Sequence, residues 1–186
     1  MKKFLINTRI DTIDIAASLT LLSPQRRDHV LAIKSDAQRR QSIAAYLLLC
    51  ELLQIPHPEF ALTPHGKPYI TGSNTHFSLS HCAGAAAAVI ATTPVGIDIE
   101  PATRRISDAL VRHTMNDDEI ARIQTAEDPA KAFITLWTKK EALLKMTGEG
   151  LQAGLRDALQ NHPQTTFTTI EKQGFICTIC QKSPQT

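Results

Sequence analysis

No stretch of this 186-residue chain is long and apolar enough to cross a bilayer as a helix, and Met1-Lys-Lys-Phe-Leu-Ile-Asn turns polar too soon for a secretory signal. That opening segment reads as a first strand, and a cytosolic protein with no membrane partner is expected. A Walker loop and a dinucleotide fingerprint are both missing, which removes two common nucleotide-binding designs. Seven histidines are present, yet none has the H-E-x-x-H spacing of a zinc hydrolase. Cysteine is limited to four, and Cys177-Thr-Ile-Cys180 has no second C-x-x-C to complete a zinc shell. Strand residues three apart also face opposite sides, so buried, unbridged cysteines are expected.

Strong charge is absent as well. Twenty Lys and Arg against 18 Asp and Glu leave a net +2, which calls for no nucleic-acid partner. The basic pairs Arg26-Arg27, Arg39-Arg40 and Arg104-Arg105 can still form local positive ground able to steer an acidic partner. A hydrophobic content of 42% in a chain of this length supports one substantial core or two small lobes.

What is present is a set of acids and cations. Val95-Gly-Ile-Asp98-Ile-Glu100 is an apolar, β-branched run that reads as a strand. Residues two apart then share a face, so Asp98 and Glu100 emerge side by side while Ile97 and Ile99 turn into a core. Gly96 precedes them on the same face, and its missing side chain leaves room for close approach of a ligand or water. By itself this is also the pattern of an edge strand with two solvated acids.

Asp128-Pro129 is a helix start, an N-cap acid followed by proline at the first helical position, and Gly148 offers a left-handed stop. Within that helix Phe133, Trp137, Glu141 and Lys145 recur every four residues, forming a drifting stripe with an apolar end and a charged end. Taken alone, Glu141 and Lys145 read as an i,i+4 surface pair worth roughly 0.3–0.5 kcal/mol.

Phe77-Ser-Leu-Ser80-His81-Cys-Ala-Gly84 and the small-residue run to Ala91 read as two strands around a tight turn, leading into the acidic strand. Ser80 and His81 point to opposite faces and cannot act as nucleophile and base on each other, so they read as phosphate ligands. Elsewhere, helices are expected over Asp11 to Leu22, Ser35 to Leu53 with a Ser35/Gln38 capping box, Ile106 to Thr114, Asp117 to Thr125 and Pro129 to Met146. Strands are expected over Lys67 to Ile70, Phe77 to Ser80, Ala85 to Ala91, Val95 to Glu100, Thr165 to Glu171 and Phe175 to Gln181, the last two joined by a hairpin turn at Lys172-Gln-Gly174.

Together, His65-Gly-Lys67-Pro68-Tyr, Phe77-Ser-Leu-Ser80-His81, Val95-Gly-Ile-Asp98-Ile-Glu100 and Trp137-Thr-Lys-Lys140-Glu141-Ala-Leu-Leu-Lys145 with Gly148-Glu-Gly150-Leu resemble the 4′-phosphopantetheinyl transferases, of the pseudo-dimeric type that activates peptide and polyketide synthetases. They stand in that family's order and at its intervals. Ser78 replaces a usual asparagine, and Cys82 a frequent serine or threonine.

The resemblance implies an α+β fold of two pseudo-symmetric lobes, residues 1–94 and 95–186, each a small, mostly antiparallel sheet packed with a long helix. The site would lie in the cleft between them, complete in one chain, so a monomer is expected. It further implies that Asp98, Glu100 and Glu141 hold Mg²⁺, with Mn²⁺ as an alternative, on the pyrophosphate of coenzyme A. Lys145 would neutralise the transferring phosphate. His81, Arg26 and Arg39 would grip the 3′-phosphate, with Arg40 an equally placed candidate, and Lys67 and Ser80 would complete the coenzyme site. The implied reaction moves phosphopantetheine to a serine of an apo acyl or peptidyl carrier protein. Its base is Glu141 or a bound water relayed by Asp98 or Glu100. A metal-dependent nuclease and a non-catalytic coenzyme A or carrier-binding protein are the alternatives, and the carrier served is left open.

Overall fold

The computed structural model describes residues 2–103, 105–148 and 154–183. Met1, Arg104 of one basic pair and the Glu149-Gly150-Leu151 tail of the helix motif lie outside the described residues. The chain opens with strand β1 (Lys2–Asn7), a 3-10 turn at Ile10–Thr12, and helices α1 (Ile15–Leu19), α2 (Pro24–Ala32) and α3 (Asp36–Leu53). A two-stranded ribbon, β2 (Phe60–Leu62) with β3 (Pro68–Ile70), leads into β4 (His76–Cys82), β5 (Ala85–Ala91) and β6 (Val95–Pro101). Helices α4 (Asp108–Thr114), α5 (Asp117–Thr125) and α6 (Pro129–Thr147) follow. A 3-10 turn at Leu155–Asp157 runs into α7 (Ala158–Asn161), and the hairpin β7 (Thr165–Lys172) and β8 (Phe175–Lys182) closes the fold.

Two antiparallel three-stranded sheets, ordered β1-β5-β4 and β6-β8-β7, pack face to face in an α+β architecture. The shared core explains the alternation in their sequences. Ala85, Ala87, Val89 and Ala91 of β5 meet Val95, Ile97 and Ile99 of β6 and Cys177 and Ile179 of β8. The intervening β5 residues face α3, where Ala86 packs with Ala44, Ala45 and Ile10. Being buried on both faces accounts for the small, uniformly apolar β5. On the outer face of the second sheet, Cys180 meets Ala142 and Met146 of α6, and Ile176 meets Phe133. The layers are therefore α3, first sheet, second sheet, α6.

Close contact between β6 and α6 fixes the remaining face. A Cβ built on Gly96 would lie 1.9 Å from the carbonyl oxygen of Ala142 and 2.6 Å from the amide nitrogen of Met146. The space that Gly96 opens is thus taken by the α6 backbone, and not by a ligand as its place in the acidic strand suggests. Helix α6 starts as its sequence dictates, with the Asp128 carboxylate accepting from the Lys131 amide at 2.9 Å. It ends at Gly148, whose φ of +79° and backbone N–H, which donates to the Leu144 carbonyl, form the left-handed C-cap.

The N-terminal helical region departs from expectation. The span from Asp11 to Leu22 is no single helix: Ile13 is extended, and Asp14 then caps a new short helix by accepting from the Ala17 amide. Repeated β-branched residues at 10, 12, 13 and 15 weaken a continuous helix there. Ser23-Pro24 starts α2, and β2 is a further strand; neither is among the expected elements. Among the described residues no helix is long and apolar enough to cross a membrane.

Candidate active site

Strand β6 lies at the free edge of its sheet, and its outward amides have no ladder partner there. Serine side chains from β4 supply one. Ile97 N donates to Ser78 Oγ at 3.1 Å, and Ile99 N donates to Ser80 Oγ at 3.3 Å. The Ser80 hydroxyl in turn donates to Asp98 Oδ1 at 2.8 Å. Ser78, where asparagine is usual in the resembled motif, therefore has a structural task at the junction of the two sheets.

Asp98 is buried at 4% exposure, facing α6. Lys145 Nζ lies 2.6 Å from its Oδ1 and 2.9 Å from Ser80 Oγ. Lys145 thus reaches across to β6, a contact that its i,i+4 spacing with Glu141 does not announce. The other oxygen, Asp98 Oδ2, is buried and has no hydrogen-bond partner among the described residues. A buried carboxylate oxygen left unpaired is costly and calls for an explanation.

Trp137, two turns before Lys145 on α6, donates from Nε1 to Glu100 Oε1 at 3.2 Å and stacks on Phe133 with 6.1 Å between ring centroids. The stripe that runs from Phe133 to Lys145 is therefore apolar at one end and polar at the other, as its spacing predicts. Its polar end forms one wall of a cavity of about 520 Å³ lined by Asp98, Glu100, Trp137, Glu141 and Lys145, with Ser80 and His81 beside them.

The opposite wall comes from α2 and α3. Arg26 donates from Nη2 to the Ser42 hydroxyl at 2.7 Å and to the Ser42 carbonyl at 3.1 Å. Its guanidinium sits 5.2 Å from the centroid of the Tyr46 ring. Arg26, Ser42 and Ala45 line the same cavity. The structure does not bring Arg39 or Arg40 to it: Arg39 is engaged by Asp36 and the Leu31 carbonyl, and Arg40 by the Ile13 carbonyl.

A second hollow of about 260 Å³ shares Leu79, Glu141 and Lys145 with the first and continues it past His65, Lys67 and Pro68. Lys67 donates to the Met146 carbonyl at 2.6 Å, at the negative end of α6. Its stem packs 3.2 Å from where a Cβ on Gly148 would stand. Gly148 is thus held by two requirements, positive φ and a tight neighbour.

Burial acts on several basic groups of this trough. The His81 pKa is held below the ordinary histidine value, by burial of its ring first and by the Lys145 charge second, with Arg26 adding to the same effect. Burial likewise lowers Arg26 and Lys67. Arg26, Lys67 and Lys145 along this trough offer cationic contacts to a polyanionic ligand.

For a divalent cation the donor set is all oxygen: Asp98 with its unpaired Oδ2, Glu100 and Glu141 around one cavity. Among the described residues no three His, Cys, Asp or Glu side chains form a preassembled cage. That combination fits Mg²⁺, which binds through one or two carboxylates and completes its shell with waters and substrate phosphates. The cysteines stand apart from this chemistry. All four are unbridged, Cys177 and Cys180 enter different cores, and burial pushes both thiols up to about 12.

Two lining residues with polar contacts have roles that the sequence does not reveal. Ser42 holds Arg26, and only its place one turn beyond Arg39 on α3 hints at that role. Trp137 is visible as an apolar stripe member, whereas its indole N–H turned to Glu100 is not.

Comparison with known proteins identifies the family of the chain. Residues 94–184 match the model of the 4′-phosphopantetheinyl transferase superfamily. The chain is 33% identical over 113 residues to the 4′-phosphopantetheinyl transferase psf-1 of Bacillus pumilus, covering 58% of this chain and 48% of that protein. A putative 4′-phosphopantetheinyl transferase of Haemophilus influenzae is 33% identical over 118 residues, 58% of this chain and 50% of that protein. The chain spans about half the length of these two relatives. With the 4′-phosphopantetheinyl transferase AcpT of Salmonella typhi the match is 32% over 135 residues, covering 69% of this chain and 70% of that protein. On that coverage, and with the acidic strand and the α6 motif inside the matched region, the chain belongs to the 4′-phosphopantetheinyl transferase superfamily.

Proposed function

We propose that this chain transfers the 4′-phosphopantetheine group from coenzyme A to a serine of an apo acyl or peptidyl carrier protein, in a Mg²⁺-dependent reaction. The observation that carries the reading is the convergence of Arg26, Ser80, His81, Asp98, Glu100, Glu141 and Lys145 on one cavity. Binding alone would not need the carboxylates and Lys145 together with the cations.

Coenzyme A lies where residues 1–94 meet residues 95–186, the two lobes of the proposed division. Arg26 and His81 hold the 3′-phosphate, and Lys67 binds further along the trough. Arg39 joins them only by leaving Asp36 and the Leu31 carbonyl. Asp98, Glu100 and Glu141 would hold Mg²⁺, or Mn²⁺ through the same oxygens, and when bound the ion supplies charge neutralisation on the pyrophosphate. Ser80 orients both Lys145 and Asp98.

The carrier serine Oγ attacks the phosphorus next to pantetheine, and the bond from that phosphorus to the bridging oxygen breaks. Adenosine 3′,5′-bisphosphate leaves. Lys145 donates to the oxygens on which charge grows, a contribution that is mainly electrostatic and positional. Glu141, on the same wall one turn before Lys145, accepts the serine proton. A cytosolic monomer that meets its acidic carrier through local basic ground completes the reading.

Intact mass spectrometry of apo carrier proteins incubated with the protein, coenzyme A and Mg²⁺, with a chelator control, tests it. A chelator-sensitive gain of one phosphopantetheine on the carrier is expected. Tight coenzyme A binding with no gain on any carrier type would mark a binding protein, and no coenzyme A binding would end the reading.

A further inference from the structure

Lys140 is fully buried, with 0% of its side chain exposed. Its ammonium carries three hydrogens and lies within hydrogen-bond distance of four oxygens: Glu119 Oε2 at 2.6 Å, and the carbonyls of Thr114 at 2.8 Å, Leu155 at 2.9 Å and Arg156 at 2.6 Å. Those acceptors belong to separate pieces of chain. Thr114 is the last residue of α4, whose terminal carbonyls lack partners within the helix. Glu119 closes the capping box of α5, accepting from the Asn116 amide with the same oxygen that meets Lys140. Leu155 and Arg156 form the turn before α7.

One side chain therefore binds the α4–α5 corner and the Leu155–Arg156 turn to the middle of α6. Glu141 follows immediately and points about 100° away around the helix, into the cavity. From the sheet side, α6 is held by the Gly96 contact and by the buried Thr138–Thr178 hydroxyl pair at 2.8 Å. Thr178 is the register partner of Asp98. Contacts to the sheet seat α6 against β6, whereas Lys140 is the polar tie on its other side.

We propose that Lys140 is a positioning residue of the transferase site: its buried ammonium fixes the rotation and height of α6, so that Glu141 and Lys145 meet Asp98 and Glu100 across the cavity. This rests on the transferase reading. A charge held by three carbonyls sets position more narrowly than an apolar side chain of the same length, because its bonds are directional. The buried pair with Glu119 is by itself no evidence of added stability.

The test compares full-length wild type, Lys140→Met, Glu119→Gln and the double variant below the lowest melting temperature of the set. Lys140→Met is expected to lower kcat for carrier modification about a hundredfold, with KM for coenzyme A within about twofold. The double variant removes the carboxylate that Lys140→Met leaves unpaired, so it recovers part of the lost melting temperature while kcat stays low. Recovery of kcat together with melting temperature, or wild-type kcat in folded Lys140→Met, would overturn the proposal. Trp137, the sole tryptophan, gives a readout that needs no activity, since its indole is bonded to Glu100. Its emission and acrylamide quenching are expected to change in both Lys140 variants. Should the wild type modify no carrier, the transferase reading fails by itself, and unchanged Trp137 signals would independently sink the positioning role.

Discussion

Besides the exposed Lys131–Glu171 pair, helix α6 carries two lysine–carboxylate pairs whose carboxylates are buried, and these two are of equal length. Lys140 Nζ is 2.6 Å from Glu119, and Lys145 Nζ is 2.6 Å from Asp98. Their surroundings differ. The first pair is closed: 0% and 6% of the side chains are exposed, three carbonyls complete the ammonium shell, and the Asn116 amide shares the carboxylate oxygen. The second is open, with Lys145 31% exposed, Asp98 Oδ2 unpaired among the described residues, and both residues on the wall of a cavity. Identical chemistry thus closes a buried junction in one place and faces an open cavity in the other. Saturation of the partners and access to a concave surface tell them apart; distance does not.

The sharpest way to break this comparison is to remove the open ammonium. Lys145→Met should lower kcat/KM for carrier modification about a thousandfold, because the charge it offers is realised only as the phosphoryl group transfers. A residual rate within tenfold of wild type, measured by carrier intact mass over time, would take Lys145 out of the chemistry. Next in size is the closed pair. Glu119→Gln leaves the Lys140 charge buried with carbonyls alone, and should cost about 3 kcal/mol in urea unfolding. Transfer should fall far less, since the three carbonyl bonds keep Lys140 in place. A large loss of kcat with unchanged stability would reverse the roles assigned to the two pairs.

A smaller effect probes the other wall. His81→Ala should weaken coenzyme A about tenfold to a hundredfold, the loss of one charge-assisted hydrogen bond, and leave dephospho-coenzyme A nearly untouched. Equal losses on both ligands, by calorimetry, would remove His81 from the 3′-phosphate. The smallest expected signal is its pH dependence. Burial, then Lys145, holds the free His81 pKa down, and a bound phosphate raises it, so the protonated form binds more tightly. Coenzyme A affinity should therefore strengthen between about pH 8 and about pH 6, with proton uptake on binding, and flatten in His81→Ala. A wild-type affinity that is flat over that window would contradict the assignment.

How much of this could be read from the chain depends on the range of the forces involved. The period-two alternation of β6, the Asp128-Pro129 start and Gly148 stop of α6, and the spacing of Phe133, Trp137, Glu141 and Lys145 are local signals, and each matches the structure. Gly96 shows where local reading stops. Its absence of a side chain marks a close approach, yet only the packed layers reveal that α6 is what approaches. Ser78 and Ser80 are similar: their service to the free edge of β6 follows from two sheets meeting, which no periodicity encodes. The tertiary burial of Lys140 is hidden for the same reason, since its sequence neighbours Lys139 and Glu141 make it look like part of a charged surface. Strand β2, three residues between Pro58 and Pro64, is too short to leave a periodic trace.

Asp98→Asn tests the contrast most directly, through thermal unfolding and carrier intact mass measured on the same preparation. The substitution removes a buried charge whose second oxygen has no hydrogen-bond partner among the described residues, while Lys145 can turn to solvent. The expected result is a melting temperature at or above that of the wild type with carrier modification abolished. A melting temperature that falls as far as that of Glu119→Gln, with modification retained, would show that Asp98 holds the fold together and that the open pair is no active site.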